Sequence, residues 1–174
     1  SILTVTSLMG VLLSLSFLFI FLFLRRLVKN NIILLLGFST MVIYLLDGSA
    51  NPYPYFQYWP IRTIVPCLLL FLSSVYFKSK NKAVYYALFA LSAVSILWNF
   101  DSGIMVFVSW ILTLCYLEAF NLDKKIMIRN IVRHIIVGAV SIGLIFGGYS
   151  AYAFLRSGHL PDLSLFFEVL RWHG

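Results

Sequence analysis

The sequence predicts an all-α membrane protein, a polytopic bundle of about six transmembrane helices. Three observations predict it. The 174 residues are 61% hydrophobic and only 11% charged, with a mean hydropathy of +0.96, whereas about a quarter of a soluble domain is charged. The apolar residues fall in long runs, each about the length of a bilayer crossing. Runs such as Leu8 to Leu24 also lack the in/out alternation of a barrel strand. Since backbone groups in lipid must pair internally, helices are the remaining solution. No repeat of fixed period and no low-complexity stretch divides the chain, so residues 1–174 read as one helical domain.

The first span is residues 2–24, which at ~1.5 Å per residue covers about 35 Å, enough to cross with some tilt. It is too long, and lacks the basic leader, for a secretory signal. Because the chain opens at Ser1 rather than Met, we expect a piece of a longer protein. The second span, 31–46, is short and ends at Asp47-Gly48. A connector rich in Pro, Tyr and Trp follows, up to Pro60. The third span is 61–77, with Arg62 near its start and Pro66 expected to kink it mildly. Spans at 83–98 and 104–120 flank the turn Trp98-Asn99-Phe100-Asp101-Ser102-Gly103. The sixth, 135–155, ends in Arg156-Ser157-Gly158-His159-Leu160-Pro161. The gap from 121 to 134 mixes charges with apolar residues, and reads either as a surface helix or as a basic loop with an early start to span six. Residues 162–173 read as an interfacial segment.

The basic residues set the orientation. Ten of the thirteen follow spans one, three and five: Arg25, Arg26, Lys29, Lys78, Lys80, Lys82, Lys124, Lys125, Arg129 and Arg133. Cations accumulate on the cytoplasmic side, so the first residue, the aromatic connector, the Trp98–Gly103 turn and the C-terminal tail all face out. The formal charge of +7 is thus spent on orientation, and the partner it implies is the lipid bilayer, not nucleic acid. Cys67 and Cys115 fall at different depths and are expected as free thiols. Ala139, Gly143, Gly147 and Ala151, four apart, are expected to form a helix-packing face.

The outer rim then gathers the residues able to carry chemistry. Asp47, Arg62, Asp101, Arg156, His159, Asp162 and Glu168 share that side, while the midspans are almost free of charge. Ionisable groups near membrane depth are costly and usually paired, so mutual pairing is one reading. The other is a site. Asp101 or Asp47 as a carboxylate acts as a general base toward a hydroxyl or holds a divalent cation. Arg62 and Arg156 clamp phosphate oxygens. Trp59, Trp98 and the aromatic connector stack on a sugar ring or isoprenoid, or else lie as a belt in the headgroups. Asp101 fits equally a cap on span five, with Asn99 as a second capping residue. His159 and His173 with Asp162 and Glu168 lack a metal-ligand spacing, so no metal site is expected there. No phosphate-binding loop, dinucleotide glycine motif or hydrolase nucleophile motif is present.

The turn Trp98-Asn99-Phe100-Asp101-Ser102-Gly103 resembles the Trp-Asn-Pro-Asp-Thr-Gly type of turn in bacterial polytopic glycosyltransferases of the GT-C superfamily, with Phe100 in place of Pro. Arg156-Ser157-Gly158 and Leu160-Pro161-Asp162 are similar to a segment that follows it in such proteins. The resemblance covers roughly residues 60–170. It implies a bacterial plasma-membrane enzyme that uses a polyprenyl-phosphate-linked sugar donor at the outer face. Its acidic catalytic residue would lie in a long first outer loop upstream of Ser1, and Asp101 would be a supporting residue. The competing expectation is a non-catalytic membrane module, a transporter half or a helix-packing scaffold. Convergence of Asp47, Arg62, Asp101 and Arg156 on one outward cavity would favour the enzyme.

Overall fold

A computed structural model describes residues 2–46, 59–120, 122–162 and 164. It is an all-α bundle of six helices: α1 (Ile2–Leu27), α2 (Asn31–Leu46), α3 (Trp59–Ser79), α4 (Lys82–Trp98), α5 (Phe100–Ala119) and α6 (Lys124–Ser157). Among the described residues, four helices are long and apolar enough to cross a membrane: Leu3–Leu27, Pro60–Ser79, Phe100–Ala119 and Lys124–Ser157. The helices α2 and α4 are shorter, at 16 and 17 residues.

Short amide and carboxylate side chains set where the helices begin. Asn30 Oδ1 accepts from the Ile32 and Ile33 amides at 2.9 and 3.3 Å. Asn81 Oδ1 accepts from Ala83 N at 2.7 Å. Asp123 Oδ1 accepts from Lys125 N and Ile126 N at 2.9 and 3.3 Å. Each satisfies amides that a first helical turn leaves without an internal partner. Lys80 closes the junction between α3 and α4 in a left-handed conformation, φ 51°, and Gly158 ends α6 at φ 72°.

Ring contacts fix the relative directions. Phe19 stacks on Phe71 at 6.1 Å and the Arg26 guanidinium lies 5.2 Å from the same ring, so the C-terminal halves of α1 and α3 lie side by side. Tyr76 meets Tyr85 at 5.8 Å, whereas Trp98 reaches Ile61 at the opposite end. The helices therefore alternate in direction, and the three basic gaps collect at one end of the bundle.

The hub is α4. It packs on α3, α5 and α6, while α1 packs on α3 and α2 packs on α1. Leu88, Phe89, Ser92, Ala93, Ser95 and Ile96 are buried along it. They form the core with Leu69, Tyr85, Phe107, Trp110 and Leu114. Ser92 and Ser95 direct their hydroxyls to the carbonyls of Phe89 and Ser92 at 3.0 and 2.6 Å, so small polar residues sit in the core with their bonds made. Lipid tails are as apolar as leucine, so van der Waals fit rather than water exclusion holds such a core together.

Of the two readings of the gap 121–134, the early start to span six holds: from Lys124 onward it belongs to one continuous 34-residue helix, α6. Two other expectations change. The six-residue turn at 98–103 contracts to the single residue Asn99. The small-residue stripe of α6 does not pack within the bundle. Ala139, Gly143, Gly147 and Ala151 are exposed, and a Cβ at Gly143 or Gly147 would meet nothing within 4 Å. The close approach is made by Gly138, where a Cβ would sit 3.0 Å from Ile111 Cδ1 and 3.1 Å from Phe107 Cζ.

Candidate functional site

At the end of the bundle away from the basic gaps, expected to face out, the joint between α4 and α5 is built from Asn99. Its extended backbone (φ −154°, ψ 109°) breaks the helix for one residue. Its amide N–H donates to Ser95 O at 2.9 Å and closes α4. Its Oδ1 accepts from Ser102 N and Ser102 Oγ at 3.2 and 3.0 Å and opens α5. Asn99 is thus the cap of both helices, and Asp101 is not the cap of α5. Gly103 lies directly against the Ser95 carbonyl, where any Cβ would collide. The absent side chain is what lets the two helices fold back so tightly.

With capping done by Asn99, Asp101 is left in the first turn of α5 with its carboxylate turned to α3. Asp101 Oδ2 lies 3.4 Å from Arg62 Nη2, and the two side chains are 53% and 38% exposed. The Trp98 indole N–H donates to the Ile61 carbonyl at 2.7 Å. So Arg62, distant in sequence, meets Trp98 and Asp101 at one corner where α3 starts and the α4–α5 joint ends.

The other candidates lie apart. Arg156 Nη1 donates to Tyr152 Oη at 2.9 Å, one turn back on α6, and no hydrogen bond or ion pair joins Arg156 or His159 to the Arg62–Asp101 corner among the described residues. Asp162 Oδ1 accepts from Ser164 N and Ser164 Oγ at 2.9 and 2.6 Å, which holds its exposed carboxyl below the usual range. Trp59 begins α3. Asp47, the aromatic connector up to Tyr58 and Glu168 lie outside the described residues. No group of three or more His, Cys, Asp or Glu able to hold a metal ion occurs among the described residues. Two cavities, of about 750 and 280 Å³, are lined by none of Arg62, Asp101 or Arg156.

A second polar cluster lies at the basic end, and sequence reasoning missed it. The Tyr85 hydroxyl is 2.7 Å from His134 Nδ1. His134 Nε2 lies 3.6 Å from Glu118 Oε1, and Asn130 Nδ2 donates to Glu118 Oε2 at 2.8 Å. The Arg133 guanidinium stands 5.9 Å from the Tyr85 ring centre. His134 is 1% exposed. An imidazole protonated on Nε2 suits both neighbours: Nδ1 accepts from Tyr85 and Nε2–H faces Glu118. The chain Tyr85–His134–Glu118–Asn130 ties together α4, α5 and α6. Its only sequence signal was Glu118, an acid near the basic end. Both cysteines, Cys67 and Cys115, are free thiols.

No protein-family model, curated protein or solved structure matches this chain.

Proposed function

We propose that this chain is part of a bacterial plasma-membrane glycosyltransferase that takes a polyprenyl-phosphate-linked sugar at the outer face. One observation carries the reading: Arg62 and Asp101 meet at the outer corner, beside Trp98, with both charged groups open to solvent. A guanidinium so placed grips phosphate oxygens through a two-pronged fork, and the carboxylate opposite holds it in position when no donor is bound. Asp101 is then a positioning residue, as the resemblance of this turn to that of GT-C enzymes implies. Asp47, outside the described residues, is the second acidic candidate. The isoprenoid tail runs down into the lipid from this rim.

The test is transfer of labelled sugar from a polyprenyl-phosphate donor by the full-length protein in proteoliposomes. Arg62→Gln should lower transfer about 30-fold, the ~2 kcal/mol of one charge-assisted hydrogen bond, with the helix content unchanged. Full activity in that variant would remove the phosphate-binding role. A non-catalytic scaffold is the second reading. The Trp98–Ile61 bond and the double cap at Asn99 favour it, because both fasten helices together. It predicts no transfer by the parent protein, and variants that alter melting alone.

A further inference from the structure

We propose that the inner-end cavity between α1 and α3 binds the phosphate headgroup of an anionic phospholipid of the cytoplasmic leaflet. The cavity measures about 750 Å³ and is lined by Arg25 and Arg26 of α1 and by Ser73, Ser74, Phe77 and Lys78 of α3, among others. Three cations face it and no carboxylate does. Among the described residues none of the three is within ion-pair distance of a carboxylate, the close charged pair being Arg62–Asp101. Like charges gathered in one partly enclosed space repel, and an anion relieves that repulsion.

The chemistry of the walls narrows the anion to one on a lipid. Arg26 lies over the Phe71 ring at 5.2 Å, so its stem and face are packed and its outward N–H groups remain for a phosphate. Lys80 lies 5.4 Å from the Phe77 ring centre at the same end. The rest of the lining is apolar apart from Ser73 and Ser74, whose hydroxyls donate to the Leu70 and Phe71 carbonyls. Ser73 and Phe77 also wall the adjoining groove of about 280 Å³ between α3 and α5. That groove gives an acyl chain an apolar path toward the middle of the bundle. Trp110, whose indole N–H is buried without a partner, stands along it. A charged mouth at the leaflet surface that opens onto an apolar groove matches a headgroup joined to a tail. Cationic pockets between membrane helices on the cytoplasmic side bind lipid phosphates in this way. The site is independent of the outer-rim chemistry.

Orientation alone would also place cations here, so the test must separate a site from a charged surface. Lys82, Lys124 and Lys125 supply the comparison: like the three cavity cations they are exposed and at the same end, but they lie outside the cavity. The measurement is native mass spectrometry of the full chain in detergent, titrated with phosphatidylglycerol or phosphatidylcholine, with and without inorganic phosphate. One phosphatidylglycerol should stay bound where phosphatidylcholine does not. Each cavity cation should contribute about five-fold, so Arg25→Gln, Arg26→Gln and Lys78→Gln together should weaken retention about 100-fold, and the three exposed-lysine changes less than about three-fold. Should the cavity triple variant fail to fold, Lys78→Gln alone decides, at about five-fold. Equal losses in the two triple variants, equal retention of the two lipids, or full displacement by inorganic phosphate at the lipid's own concentration would each overturn the assignment.

Discussion

Asn99 and Gly103 decide the outer joint by opposite means, one with a side chain and one by lacking it. Asn99→Ala should cost about 1 kcal/mol as the cap is lost. Gly103→Ala should cost about 1–3 kcal/mol, the usual range for forcing a methyl group into a filled space, because the group must displace Ser95 backbone rather than a flexible side chain. Denaturation in mild detergent should rank the two in that order, and a Gly103→Ala protein as stable as the parent would contradict the contact. At this scale the sequence was only partly legible. Its turn chemistry was plain, but Asn99 and Asp101 both suit a helix start. The choice between them hangs on a boundary shift of two residues that composition does not encode. His134 was harder still. It sits among Ile131, Val132, Ile135 and Ile136 near a basic gap, and only the meeting of three helices reveals Tyr85 and Glu118 as its neighbours.

The helix α6 shows what spacing can and cannot say about an element. Its 34 residues span ~51 Å at 1.5 Å per residue, against a hydrocarbon core of ~30 Å. The turns bearing Lys124, Lys125 and Arg129 therefore carry charge beyond the lipid while the helix stays unbroken. Small residues four apart were correctly seen on one face, but nothing in their spacing says which way that face looks. The helix instead meets α4 and α5 through Gly138. Gly138→Leu should accordingly cost about 1–3 kcal/mol by overpacking, whereas Gly143→Leu and Gly147→Leu should each stay within ~0.5 kcal/mol, as exposed substitutions do. Thermal melts of the three proteins check this, and the reverse ranking would place the packing face elsewhere.

For the whole molecule, the class and the number of helices were legible because lipid imposes them: long uncharged runs admit few structures. The alternation of basic gaps was equally plain. The outer corner was not, since Arg62 and Asp101 belong to different helices and their meeting depends on how α3 lies against the α4–α5 pair. Sidedness yields a prediction for the entire bundle. In intact cells, with Cys67 and Cys115 replaced by alanine, Lys80→Cys should be protected from an impermeant maleimide and His159→Cys should react. Reaction at residue 80 would turn the molecule over and move the outer corner to the cytoplasmic side.

The single-residue joint at Asn99 also governs how this bundle is able to move. With one non-helical residue and a glycine seated on a carbonyl, α4 and α5 have no slack at their shared tip, so they swing as one prong. Among the described residues α2 packs on α1 alone, whereas α1 lies packed along α3. Motion in response to a bound molecule is then borne by α2, with the rest of the bundle, held by the α4–α5 prong, as the frame it moves against.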